Sequence, residues 1–151
     1  MGVQLGTDPG AVRLRPAESG DLPALAELYV GMAASHGTAM TAAAAEGKLA
    51  LMLGVPAQQA VLMEAEGRPL GYVLWADLGD HVFIRNYAIA AEQRGAGLGA
   101  ALWQRLRAEV LPARPIRLEV SADHARDFWQ SRGFVAWSTG MRSDHSDGSA
   151  G

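Results

Sequence analysis

The stretch from His81 to Ser121 constrains the fold more than any other part of the chain. It opens on "HVFIRNYAIA", rich in β-branched and aromatic residues, which reads as a strand. A turn holding Gly95, Gly97 and Gly99 follows. It leads into "LGAALWQRLRAEVL", whose apolar residues recur at helical spacing and which Pro112 stops. "PIRLEVS" then reads as a second strand. A strand, a helix and a strand joined in this way predict a right-handed parallel crossover.

The turn itself carries chemistry. Glycine permits dihedrals closed to other residues and lets a ligand approach the backbone. The free N–H groups at a helix start face an anion, with the helix dipole in support. Arg94, Gly95, Gly97 and Gly99 therefore suit a phosphate cradle, or a tight turn that needs glycine for its own geometry. Two pyrophosphates compete for the cradle, that of coenzyme A and that of a dinucleotide. "GAGLGA" fits G-x-G-x-x-A, and Glu119 follows Gly99 by the 20 residues a ribose-binding acid requires. Against the dinucleotide, "AEQR" separates the turn from the strand end. Only one parallel crossover follows, too few for a doubly wound dehydrogenase domain.

The other segments arrange themselves around this unit. "AVRLRPA" alternates like a half-buried strand. "ESGDLPALAELYVGMAASHG" is a helix with Asp21 as N-cap, Pro23 in its first turn and Gly37 at its end; Leu22, Leu25, Leu28, Tyr29 and Met32 mark its apolar face. "TAAAAEGKLALMLG" is a second helix, interrupted by Gly47. "QAVLMEAEG" and "LGYVLWADLG" form a hairpin turning at "EGRP". "DHARDFWQSRG" is a short helix with Asp123 as cap and Gly133 at its C-terminal side, and "FVAWSTGM" is a last strand. The order β, α, α, β, β, β, α, β, α, β predicts one α/β domain with a mixed sheet over residues 11–141, between flexible tails at 1–10 and 142–151.

Composition narrows the function. A net charge of −3 over 151 residues, with 12 arginines scattered and Lys48 the lone lysine, argues against nucleic acid as a partner. The absence of cysteine excludes thiolate nucleophiles and cysteine metal sites, and the four histidines lack the spacing of a helical zinc motif, so no metal is expected. No run is apolar and long enough to span a membrane, and the start lacks the marks of a signal peptide. Gly2 does not begin a myristoylation motif, because Gly6 stands at its Ser/Thr position. The expected compartment is the cytoplasm.

"RGAGLG" is similar to the R/Q-x-x-G-x-G/A signature of GNAT-type N-acyltransferases, with Arg94, Gly97 and Gly99 in place. "IRLEV" followed by "ADHARDFWQSRGF" resembles that family's second signature through Ala125, Phe128, Gly133 and Phe134. "VRLRPAESGDLPALAEL" looks like its opening strand and helix, and "GRPLGYVL" like its central hairpin. The resemblance covers residues 12–141. It implies a splayed mixed sheet with helices on both faces, and transfer of an acetyl group from acetyl-CoA to a small-molecule or peptide amine. It places the pyrophosphate on Arg94, Gly95, Ala96, Gly97, Leu98, Gly99 and Ala100. It places the thioester against the Ile89 backbone, with Ala88 and Ala90 beside it. A homodimer is common in the family, though no stripe here demands one.

The resemblance also assigns roles where the pattern departs. Glu119 interrupts Ile116, Leu118 and Val120 on the opposite face of a strand and resembles a glutamate of bacterial acetyltransferases acting on ribosomal-protein N-termini. It is the expected general base, its pKa raised if partly buried. Another position for a base, on the strand before the turn, holds Phe83, and Arg85 is a poor base. Trp129 stands where many members carry a tyrosine acid; an indole is no acid, and Trp129 is expected beside the pantetheine or in the core. Ser121 and Asp123 replace an asparagine near the second signature. Trp75, Asp77 and His81, with Asp80, are candidate acceptor contacts for a cationic amine. A non-catalytic acyl-CoA-binding module and a dinucleotide-binding oxidoreductase stand as alternatives.

Overall fold

The computed structural model of the chain describes residues 7–95, 97–120 and 123–136. These fall into two compact units that divide after Ser121. In the first unit β1 (Arg13–Pro16) leads through a 3-10 turn into α1 (Leu22–Ser35) and α2 (Ala42–Leu53). Then come β2 (Gln58–Ala65), β3 (Arg68–Asp77), β4 (Val82–Ile89), α3 (Leu98–Glu109) and β5 (Ile116–Leu118). The strands form one sheet in the order β1-β2-β3-β4-β5. β1 to β4 pair antiparallel, and β4 pairs parallel with β5. A doubly wound dinucleotide fold needs a mostly parallel sheet, so this is not the fold on which the oxidoreductase alternative rests.

Local chemistry accounts for the elements. Ala65 and Arg68 face each other across Glu66 and Gly67, whose φ angles are 54° and 77°. Two positive φ values in a two-residue loop match the right-handed twist of the strands, so the hairpin closes tightly. Gly37, at φ 87°, ends α1: its N–H donates to the Ala34 carbonyl at 3.0 Å and that of Thr38 to Ala33 at 2.8 Å. Thr41 caps α2, its hydroxyl accepting the Ala44 N–H at 3.1 Å.

Asp21 behaves differently from expectation. Its backbone is already helical, continuing from the preceding turn, and its side chain caps nothing in α1. The carboxylate instead accepts the Glu18 N–H at 2.7 Å and two bonds from Arg15 at 2.8 and 2.9 Å. Arg15 also reaches Glu64 through Nε at 2.9 Å, so one guanidinium ties β1, β2 and the approach to α1. Bonds from Arg15 and from the Glu18 N–H hold the Asp21 carboxyl down at about 2.

Alternation along the strands divides the core. Leu62, Tyr72, Leu74, Ala88 and Ala90 meet Leu25, Ala26 and Leu28 of α1 and Ala45 and Leu49 of α2. The intervening residues turn to the other face, where Tyr87 meets Trp103 of α3 edge-on at 5.7 Å. Leu98, Leu102 and Leu106 of α3 are buried, and each leucine out of water contributes about 1.5–3 kcal/mol. Helices thus cover both faces of this sheet.

The second unit holds α4 (Asp123–Ser131). Gly133, at φ 95°, donates to the Gln130 carbonyl at 3.0 Å and Phe134 to that of Trp129 at 3.1 Å. The Trp129 and Phe134 rings meet edge-on at 5.2 Å, the apolar contact that accompanies this helix stop. Phe134, Val135 and Ala136 are not in a strand, and the rest of the last expected strand lies outside the described residues. β5 is also shorter than expected, ending at Leu118 where its pairing with β4 ends.

Candidate active site

The site begins where β4 loses its neighbour. Among the described residues β4 and β5 pair at Val82–Ile116, Phe83–Arg117 and Ile84–Leu118. β4 runs on to Ile89, and among the described residues that edge has no strand partner beyond Ile84. The Ala90 N–H donates to Leu70 of β3 at 2.8 Å. Backbone groups alternate along an extended strand, so Ile89 presents its N–H and C=O to the opposite edge, into the gap. The Ile89 carbonyl accepts Arg94 Nε at 3.0 Å. Its N–H is left facing the space between the parted strands. Ala88 and Ala90 are buried against α1 and α2.

The glycine turn follows a 3-10 turn over Ala91–Gln93. Gly95 and Gly97 have φ of 85° and 81°, which explains glycine at both. Among the described residues a Cβ at either would meet nothing within 4 Å. Gly97 is the N-cap of α3 and has no side chain to satisfy the helix start. The first intrahelical bond among the described residues is Ala101 N–H to Gly97 C=O at 3.1 Å. Among the described residues the N–H groups of Leu98, Gly99 and Ala100 therefore have no helical partner. Three donors at the helix start, with positive helix polarity and the space beside the turn, fit a pyrophosphate. Ala96 and Ser121 lie outside the described residues.

Two further contacts brace this arrangement. The Tyr87 hydroxyl donates to the Gly99 carbonyl at 2.6 Å, fastening β4 to the first turn of α3. The Arg94 guanidinium, besides reaching Ile89, lies over α1, where a Cβ on Gly31 would come within 3.7 Å of it. On the α1 and α2 face, the fully buried Tyr72 hydroxyl donates to Asn86 Oδ1 at 3.3 Å, and Asn86 Nδ2 to the Arg85 carbonyl at 2.7 Å. Burial drives the Tyr72 phenol well above its usual range, with Tyr29 adding to it, so Tyr72 stays protonated. Neither Tyr87 nor Asn86 was marked by sequence pattern, because only strand register brings each to its partner.

Glu119 is exposed, one residue beyond β5, so the partial burial expected of it is absent. Trp75 is buried at 5% exposure, and its indole N–H has no partner among the described residues. Asp77 is taken by Arg114, through Nε at 2.9 Å and Nη2 at 3.2 Å, and accepts the Gly79 N–H at 3.0 Å. These bonds hold its carboxyl below the ordinary carboxylate range. His81 Nδ1 lies 2.7 Å from Asp80, which lowers the Asp80 carboxyl. Trp129 is buried and stacks edge-on with Phe128 at 4.8 Å and with Phe134. Among the described residues no group of His, Asp or Glu could hold a metal ion, and no helix is long and apolar enough to cross a membrane.

The parallel pair of a mixed sheet thus parts beside a helix start capped by glycine. The profile of the acetyltransferase (GNAT) domain matches residues 28–147, and the chain belongs to that family. Its fold is similar to a possible acetyltransferase from Clostridium difficile 630, with a TM-score of 0.71, 15% identity, and coverage of 91% of this chain and 99% of that one. An acetyltransferase from Thermus thermophilus matches at a TM-score of 0.69 and 22% identity, covering 83% of this chain and 87% of its own. A Trypanosoma brucei acetyltransferase matches at 0.57 and 21% identity, covering 89% and 99%. A search of curated protein sequences found no match.

Proposed function

We propose that this chain is an N-acetyltransferase that moves an acetyl group from acetyl-CoA to a primary amine of a small molecule or peptide. The observation that carries the reading is the Ile89 N–H, turned into the gap between β4 and β5 and joined through Arg94 to the glycine turn. Acetyl-CoA supplies an acetyl group activated as a thioester. The N–H groups of Leu98, Gly99 and Ala100 hold its pyrophosphate, with Arg94 through Ala100 as the cradle. The Ile89 N–H is a fixed donor for the charge that gathers on the carbonyl oxygen, and such donors act strongly because they need no reorganisation.

The amine must be neutral to attack. Its nitrogen bonds to the acetyl carbon, the carbon–sulfur bond breaks, and the amine proton passes to a base or to water. Glu119 is the proposed base, and its exposure suits transfer through water. A thiol ionises near ~8.5, so the sulfur leaves with little help and Trp129 need not supply a proton. One observation favours a second reading, a non-catalytic acyl-CoA-binding module: Glu119 stands beyond the end of β5 rather than within the paired strands.

Calorimetric titration with acetyl-CoA, followed by thiol release with a panel of amines, tests the proposal. Binding that Gly97→Trp abolishes, with thiol release when an amine is added, is the expected outcome. Binding without release for any amine would favour the binding module. No binding at all would refute both.

A further inference from the structure

β4 contains one residue that its ladder with β3 does not use. Leu74 pairs with Asn86 and Trp75 with Ile84, so Arg85 is an extra residue, a β-bulge. The register on both sides is the one that a strand lacking Arg85 would have. Bulges gather beside active sites, where they re-aim a side chain. This one falls immediately after Ile84, the last β4 residue paired with β5. Arg85 thus stands at the mouth of the gap.

The contacts of Arg85 fix its face and leave its charge unspent. Its guanidinium lies 5.3 Å from the centre of the Phe83 ring, and its Nε is 3.4 Å from Gln58 Oε1. Asn86, next in sequence, is held by Tyr72 on the α1 and α2 face. Gln58 and Phe83 both pair with Ala76, two positions along β3 from Leu74, so Arg85 projects to that same face. Arg13, Arg15, Arg105 and Arg114 all pair with carboxylates, whereas no carboxylate among the described residues pairs with Arg85. The ring and Gln58 hold Cζ and Nε of this exposed residue, and a guanidinium offers its two terminal nitrogens as a fork suited to a carboxylate.

The acids that would have made the acceptor side negative are already committed, Asp77 to Arg114 and Asp80 to His81. Distance adds a constraint. Arg85 precedes Ile89 by four residues, about 13 Å along an extended strand, and its side chain leans further back toward Phe83.

Resting on the proposed acetyl transfer, we infer that the acceptor is an extended peptide-like amine whose carboxylate, about three residues from the amine nitrogen, is bound by Arg85. A free α-amino acid, whose amine and carboxylate share one carbon, cannot reach both places. Arg85 is exposed, so its replacement leaves the core intact.

The test is calorimetric titration of trialanine, trialanine amide and alanine into the wild-type protein and Arg85→Gln, each saturated with CoA. Trialanine should bind the wild type about tenfold or more tightly than either of the others, and Arg85→Gln should erase that preference. Equal binding of trialanine and its amide, binding of alanine as tight as trialanine, no binding of any of the three, or a preference that survives Arg85→Gln would each overturn the inference. Thiol release from acetyl-CoA, followed in parallel, separates the two proposals: transfer to amines without regard to a carboxylate removes this acceptor while leaving the transferase. If CoA itself does not bind, the same titrations into the free protein still judge Arg85.

Discussion

Gly71→Ala should strike the fold at the residue opposite Ile89. A Cβ on Gly71 would lie 2.5 Å from the Ala88 carbonyl oxygen, and 2.9 Å from both Ile89 Cδ1 and Met63 Cε. The two side-chain ends can turn aside. The carbonyl oxygen belongs to the β4 backbone and cannot move alone. Ordinary contact begins at 3.4 Å, so β3 and β4 must separate locally by about 0.9 Å, the difference between 3.4 and 2.5 Å. The nearby bond from Ala90 N–H to Leu70, now 2.8 Å, would then stretch beyond hydrogen-bonding range. Overpacking of this kind costs about 1–3 kcal/mol and a lost backbone bond about 1 kcal/mol more. For a chain of this size the sum lowers Tm by roughly 5–15 °C. Thermal denaturation followed by circular dichroism measures it. Gly47→Ala is the control: Gly47 is exposed inside α2, a Cβ there meets nothing within 4 Å, and alanine should stabilise by about 0.5–1 kcal/mol. A Tm for Gly71→Ala within about 2 °C of the wild type would refute the reasoning, since the clash leaves no cheap adjustment.

Two further outcomes follow from the contacts. Tyr87→Phe keeps the ring against Trp103 but deletes the 2.6 Å bond to Gly99; calorimetry should report acetyl-CoA binding weakened about fivefold, while kcat at saturating acetyl-CoA stays unchanged, and a fall in that kcat would place Tyr87 in the chemistry instead. The folded Asp21 carboxyl titrates at about 2 against an ordinary 3.8, so its contribution to stability is present above 3.8 and lost as the pH falls toward 2; Asp21→Asn should flatten denaturant-measured stability across that window, and an unaltered acid limb would discount the Arg15 contact.

Much of the framework is legible in the sequence because it is written in periodicity and punctuation. Leu25, Leu28 and Met32 mark α1, and Gly37 and Gly133 mark helix ends by the positive φ each adopts. The glycine turn is legible for the same reason. What stays hidden depends on pairing between distant segments. Arg85 is visible in the sequence as the one charge of its strand, but only the ladder with β3 reveals it as the extra residue. Tyr87 finds Gly99 because the crossover returns α3 over β4. Asp77 looks available in sequence, yet Arg114 reaches it from 37 residues away. The glycine-phenylalanine end of the second signature stops α4: Gly133 turns the chain and Phe134 packs back on Trp129.

The double tether between β4 and the helix that follows has a consequence for the donor. Arg94 fastens the turn to Ile89, and Tyr87 fastens Gly99 to the strand, so the span from the proposed phosphate donors to the proposed thioester donor is set by the backbone. In the proposed complex that span is a ruler. It measures the arm between pyrophosphate and sulfur and rejects donors whose arm is shorter or longer. It takes no reading of what lies beyond the sulfur, so discrimination among acyl chains falls to the walls of the gap itself.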